Sequence, residues 1–167
     1  MSTAPTKPRS PEESSEPRRL GGPSAPLRVA LVGLGRWGSR LLSSLAQHPD
    51  YATPLLVDDE PEALRRAATL MPNAETLEQL DVALGRGLDA VLLATPSATH
   101  GALGAQSLRA GIPLFVEKPM ATSYAEARHL VDLARQRGLA LMTGHVLEHE
   151  PALELLTRLV SSGHLGE

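Results

Sequence analysis

Short apolar runs alternate with longer amphipathic stretches from position 27 onward. Residues 27–32 (LRVALV) are apolar and β-branched and stop at a glycine, the pattern of a strand buried on both faces. Over 36–47, Leu41, Leu42 and Leu45 recur at helical spacing before His48-Pro49-Asp50 stops the helix. Residues 53–57 predict a second strand. Residues 61–70 predict a helix with Pro61 in its first turn and Asp58, Asp59 or Glu60 near its start. A short strand is expected over 74–76 and a helix over 77–84. The run 89–94 (DAVLLA) reads as another buried strand. A helix over 98–110 closed by Gly111, a strand over 112–116, a helix over 123–137 closed by Gly138 and a strand over 139–143 complete the pattern.

Strands that alternate with helices through short connections predict an α/β fold, a doubly wound parallel sheet with helices on both faces. No internal repeat is present at solenoid periods. Residues 1–26 break the pattern, with Pro5, Pro8, Pro11, Pro17, Pro23 and Pro26 set among Ser, Glu and Arg. That composition buries too little apolar area to offset ordering entropy, so a disordered tail is expected there. The dinucleotide-type domain is expected over 27–147. Residues 148–167 would begin a second domain through a connecting helix over 152–160.

Composition narrows the function classes. The apolar fraction of 42% is aliphatic, with one Trp, one Phe and two Tyr, which suits a sheet covered by helices. A net charge of −3 argues against a nucleic-acid surface. There is no cysteine, which excludes disulfides, thiolate metal sites and a cysteine nucleophile. No apolar run has the ~20 residues of a membrane span, and the N-terminus lacks the apolar stretch of a secretory signal, so a cytoplasmic protein is expected.

Gly33-Leu34-Gly35-Arg36-Trp37-Gly38 matches G-x-G-x-x-G in a fitting context: a strand before it, a helix after it, and Asp58 at the end of the next strand, 20 residues beyond Gly38. Gly33 permits the tight turn, Gly35 lets a pyrophosphate reach the backbone, and Gly38 lets helix and strand pack closely. Arg36 and Trp37 belong to the same loop and first turn, whose N–H groups face the phosphates. Asp58 suits a ribose 2′-OH and repels a 2′-phosphate, and Asp59 adds to that repulsion, which favours NAD over NADP. Arg36 and Arg65 are cations able to soften that preference, and Asp58 also fits a helix N-cap.

Four blocks in order, GLGRWG at 33–38, ATPSATH at 94–100, EKPMA at 117–121 and GHVLEHEPA at 144–152, resemble the N-terminal half of the Gfo/Idh/MocA oxidoreductases. These act mostly on sugars, sugar nucleotides and inositols, and Trp37-Gly38 is similar to members that oxidise nucleotide-linked amino sugars. The resemblance implies that Thr95 and Pro96 sit at a strand end near the cofactor, with His100 starting the next helix beneath it. It implies that Glu117 bonds the nicotinamide ribose and that Lys118, the catalytic acid/base, lies between nicotinamide and substrate, aimed inward by a cis bond to Pro119. Without the resemblance Lys118 reads as an exposed lysine in a turn. His145 would hydrogen-bond near the substrate or be a satisfied buried histidine. Two histidines four apart, His145 and His149, with Glu148, lack the further partners of a zinc site, and no metal is expected.

Family members continue into a substrate-binding second domain, which is expected to be missing here. Leu155, Leu156, Leu159 and Val160 would then form a face for a partner chain or a second copy. Two readings stay open. One is an NAD-dependent oxidoreductase piece, alone or as a subunit of a split enzyme, whose chemistry is hydride transfer with a sugar or nucleotide-sugar hydroxyl. The other is a nucleotide-binding module without catalysis.

Overall fold

The computed structural model describes residues 26–164, without the side chains of Glu148 and His149. Apart from Pro26, the expected tail lies outside the described residues.

Six strands form one sheet: β1 Val29–Val32, β2 Leu55–Val57, β3 Thr76–Leu77, β4 Ala90–Leu93, β5 Leu114–Val116 and β6 Leu141–Thr143. All five pairings are parallel and the order is β3-β2-β1-β4-β5-β6. β1 therefore has the first half of the chain on one side and the second half on the other. The order reverses between β1 and β4, and a crevice opens beyond their carboxyl ends.

Strand alternation divides the core between two faces. Val29, Leu31 and Leu56 join Leu42 and Leu45 of α1 (Arg36–Gln47) and Ala63 and Ala67 of α2 (Pro61–Leu70). On the other face Ala30, Val32, Val91, Leu93, Leu114 and Val116 meet α3 (Leu80–Leu84), α4 (Ser97–Arg109) and α5 (Tyr124–Gln136). Ten sheet residues are both aliphatic and buried because each is sandwiched between helices, as an all-parallel sheet requires. At Gly104 of α4 an added Cβ would lie 2.9 Å from a Leu114 methyl and 3.2 Å from Leu130, so its lack of a side chain lets α4 seat against both. α5 starts on a serine N-cap, with Glu126 N–H donating to Ser123 Oγ and the Ser123 hydroxyl donating to the Glu126 carboxylate.

Most element ends differ from expectation by one or two residues, and the shifts at the third strand and the helix after it share one reason. Leu77 pairs with Val57, so the third strand falls at Thr76–Leu77 rather than 74–76, and the helix expected from 77 begins at Leu80. A 3₁₀ turn, Val146–His149, leads into α6, Pro151–Ser161. None of the residues of α6 is buried, and Leu155, Leu156 and Val160 are exposed along it. Among the described residues no helix is long and apolar enough to cross a membrane.

Candidate functional site

Backbone bonds run past each strand end and set the loops that follow. Gly33 N–H donates to Val57 O (2.8 Å), Ala94 N–H to Val32 O (2.8 Å), Glu117 N–H to Leu93 O (2.9 Å) and Gly144 N–H to Val116 O (2.9 Å). These ladders bring Gly33–Gly38, Asp58, Thr95–Pro96, Glu117–Lys118 and Gly144–His145 to the same edge of the sheet, from loops scattered over 110 positions of sequence.

The three motif glycines do different work. Gly33 has φ +89°, and a Cβ there would lie 2.6 Å from Thr95 N. A Cβ at Gly38 would lie 1.8 Å from Gly33 O. Both are demanded by the chain's own packing. Gly35 is not: its φ is −67° and its Cβ would meet nothing within 4 Å. Gly35 is the N-cap of α1 and supplies no side-chain cap, and no acid sits in the first turn. The N–H groups of Arg36, Trp37 and Gly38, which a helix leaves without intrahelical partners, remain for an anion. Trp37 is 40% exposed, and the Arg40 guanidinium stacks 4.8 Å from its ring centroid, leaving a cationic, flat-faced first turn.

Asp58 sits beside this loop. Its Oδ2 accepts from Leu34 N–H (2.6 Å) and its Oδ1 from Glu60 N–H (2.9 Å). The first bond fixes the glycine loop to the end of β2, and each oxygen keeps a lone pair for another donor. The N-cap of α2 is Glu60, so Asp58 does not serve that helix as its cap. Arg65, one of the two cations expected to soften the exclusion of a 2′-phosphate, pairs with Glu62 on the exposed face of α2, with Nε at 3.0 Å. Arg36 is exposed.

On the β4 side, Thr99 Oγ1–H is shared between Thr95 Oγ1 and Pro96 O, both at 2.8 Å. Pro96 is the N-cap of α4, so that helix starts at Ser97 and His100 lies a turn inside it. His100 is 1% exposed, its ring held between Pro119 O and Thr95 O rather than presented at a helix start.

On the β5 side Glu117 is 7% exposed and accepts the Lys118 N–H at its Oε2 (3.2 Å). The Lys118–Pro119 peptide is cis and Lys118 is exposed. The sequence reading missed Gly144: a Cβ there would lie 3.0 Å from both Glu117 Oε1 and Phe115, so its bareness makes room for the Glu117 carboxylate. Only the pairing of β5 with β6 brings the two together. β6 ends at Thr143, and His145 follows it, exposed, its N–H donating to Thr143 O (2.8 Å). Among the described residues no three His, Asp or Glu side chains form a group able to hold a metal ion.

The site fits a dinucleotide: a bare-glycine approach to an uncapped helix start, a carboxylate with spare lone pairs beside it, and polar groups along the crevice. The profile of the oxidoreductase family with an NAD-binding Rossmann fold matches residues 27–145. The chain belongs to the Gfo/Idh/MocA oxidoreductase family. Its described fold is that family's NAD-binding domain. Among Gfo/Idh/MocA relatives, dTDP-3,4-didehydro-2,6-dideoxy-alpha-D-glucose 3-reductase of Streptomyces violaceoruber is 33% identical over 143 residues, covering 84% of this chain and 42% of that one. The scyllo-inositol 2-dehydrogenase (NAD(+)) of Bacillus subtilis is 27% identical, with 84% and 42% covered. The crystal structure of the WlbA dehydrogenase from Bordetella pertussis in complex with NADH and UDP-GlcNAcA matches at a TM-score of 0.76 and 30% identity, with 83% of this chain and 40% of that chain covered. The chain thus spans about two fifths of the length of the curated relatives it matches.

Proposed function

We propose that this domain binds NAD in preference to NADP and forms the cofactor half of an oxidoreductase acting on a hydroxyl of a sugar or nucleotide-linked sugar. The observation that carries the reading is Gly35. It is the one motif glycine that the chain's own packing does not require, and it fronts the uncapped start of α1. A pyrophosphate against that backbone supplies the missing reason for a glycine.

The remaining residues take roles along the crevice. The Arg36–Gly38 N–H groups hold the pyrophosphate, with Trp37 and Arg36 flanking it. Asp58 accepts the adenosine ribose hydroxyls and Asp59 reinforces the exclusion of a 2′-phosphate. Thr95 and Pro96 line the nicotinamide end, and Glu117, wedged beside Gly144, orients the nicotinamide ribose. NAD, when bound, accepts or returns the hydride. Lys118 removes or restores the proton of the reacting hydroxyl. His145, at the end of the neighbouring strand, bonds the substrate. The exposed leucine stripe of α6 serves a second copy or a partner chain, and the protein works in the cytoplasm. The kinship with sugar-acting enzymes supports the substrate class.

Calorimetric titration with NAD, NADH and NADPH tests the core of the reading. NADH is expected to bind and NADPH to bind at least about tenfold more weakly, the effect of one lost hydrogen bond and a charge clash. Equal affinities would overturn the Asp58 assignment.

A further inference from the structure

His100 lies one turn inside α4, 1% exposed, with Nδ1 2.8 Å from Pro119 O and Nε2 2.9 Å from Thr95 O. These carbonyls belong to two different strand-end loops, the one after β4 and the one after β5. Carbonyl oxygens only accept, and the tautomer decides which ring nitrogen donates; either way the ring fills the space between the two loops, with a nitrogen within 3 Å of each carbonyl. Lys118 and Pro119 are exposed, so apolar packing does little to fix them. Their position rests on polar ties: Glu117 Oε2 to the Lys118 N–H on one side, and His100 to the Pro119 carbonyl on the other.

We infer that His100 is a positioning residue for the nicotinamide end of the site: it touches no cofactor, and it holds the Lys118-bearing loop and the Thr95 loop at a fixed separation. The inference rests on the NAD reading above. It differs from the expectation that His100 contacts the cofactor, because the ring's two polar atoms are both committed to carbonyls in the interior. The pyrophosphate end is held by other means, the glycine packing and the Asp58–Leu34 bond, so the two ends of the site are separable.

The separation supplies the test. ADP-ribose carries the pyrophosphate and both riboses but no nicotinamide. The 167-residue chain and its His100→Phe, His100→Asn and His100→Gln variants are titrated with NADH and ADP-ribose, with melting followed in parallel. The unaltered chain is expected to bind NADH more tightly than ADP-ribose. His100→Phe should weaken NADH by about tenfold, the scale of lost buried hydrogen bonds, and ADP-ribose by less than about twofold. Asn places its amide N–H₂ near the Nδ1 position, so His100→Asn should keep the Pro119 tie and recover part of the NADH affinity. Gln reaches nearer the Nε2 position and should recover less. The amide NMR signals of Lys118 and Met120 should move in His100→Phe while those of Gly35 and Asp58 stay. If His100→Phe does not fold, the Asn and Gln variants carry the comparison. Equal weakening of both ligands, unchanged NADH affinity in a folded variant, or equal affinity of the unaltered chain for both ligands would each overturn the inference while leaving NAD binding intact. Failure of the unaltered chain to bind either ligand would instead reject the NAD reading, and this inference with it.

Discussion

Replacing Gly35 by valine separates what the fold needs from what a ligand needs. In the free protein the new Cβ meets nothing within 4 Å, and the backbone at φ −67° is open to any residue. Valine is a poorer N-cap than glycine by roughly 0.5–1 kcal/mol. It also restricts the unfolded chain, which returns about 0.4–1 kcal/mol. The two nearly cancel, so the melting temperature should move by no more than about 4 °C. Binding should collapse. A side chain there holds the pyrophosphate off the first-turn N–H groups. Losing two charge-assisted bonds at ~1.5–3 kcal/mol each costs about 3–6 kcal/mol, or ~10²–10⁴-fold in affinity. Gly38→Ala is the opposite case. Its Cβ would lie 1.8 Å from Gly33 O, so the helix must shift, at about 3 kcal/mol of folding stability or more. Calorimetric titration with NADH and thermal melting of both variants decide the matter. A Gly35→Val protein that keeps its affinity, or a Gly38→Ala protein that keeps its melting temperature, would refute the assignment of roles within the loop.

Three further outcomes are expected. Asp58→Ala should weaken NADH by about 1.5–3 kcal/mol in titration and also lower the melting temperature by a few degrees, roughly the worth of the Leu34 N–H bond it loses; a variant that binds NADH unchanged contradicts the ribose role. The exposed stripe of α6 should drive self-association, seen by light scattering at rising concentration and abolished in Leu155→Glu/Leu156→Glu; a strictly monomeric unaltered chain rules this out. The 167-residue chain should form negligible NADH from sugars or nucleotide sugars, because Lys118 and His145 both stand open to solvent and hydride transfer needs orientation that accounts for ~7–11 kcal/mol of barrier; turnover at an ordinary enzymatic rate would show that the substrate is held by some other wall.

The elements legible in the sequence are those whose local signal and tertiary role agree. β1 and β4 are continuous aliphatic runs because both faces are covered by helices, and they read directly as strands. β3 has only Thr76 and Leu77, too few residues to show a period, and its place is set by pairing with β2. α4 starts one residue earlier than its pattern suggests. Pro96 at the N-cap already fixes an extended Thr95 and a helix from Ser97, which carries His100 a turn inward to the buried side. The glycine loop and Asp58 were visible as a spacing, but the Asp58–Leu34 bond was not, since a carboxylate's backbone partner depends on the loop's curl. Gly144 shows in the sequence only as the first residue of a motif block, and its contact with Glu117 depends on the parallel register of β5 and β6.

The sheet order also governs when the site can exist. β1 is completed on its second side by β4, and the Arg28 N–H reaches Asp89 across 61 positions of chain. The turn at Gly33 is backed by Ala94 and Thr95, within 3 Å of where its Cβ would stand. A growing chain that has emerged only as far as α3 has made every glycine of the motif and the acid that follows it, yet lacks the strand against which the loop is braced. The phosphate cradle therefore forms only together with the centre of the sheet, once β4 has paired with β1. Cofactor binding then favours the sheet in which β1 and β4 are paired over partly assembled ones, so NAD should stabilise that pairing.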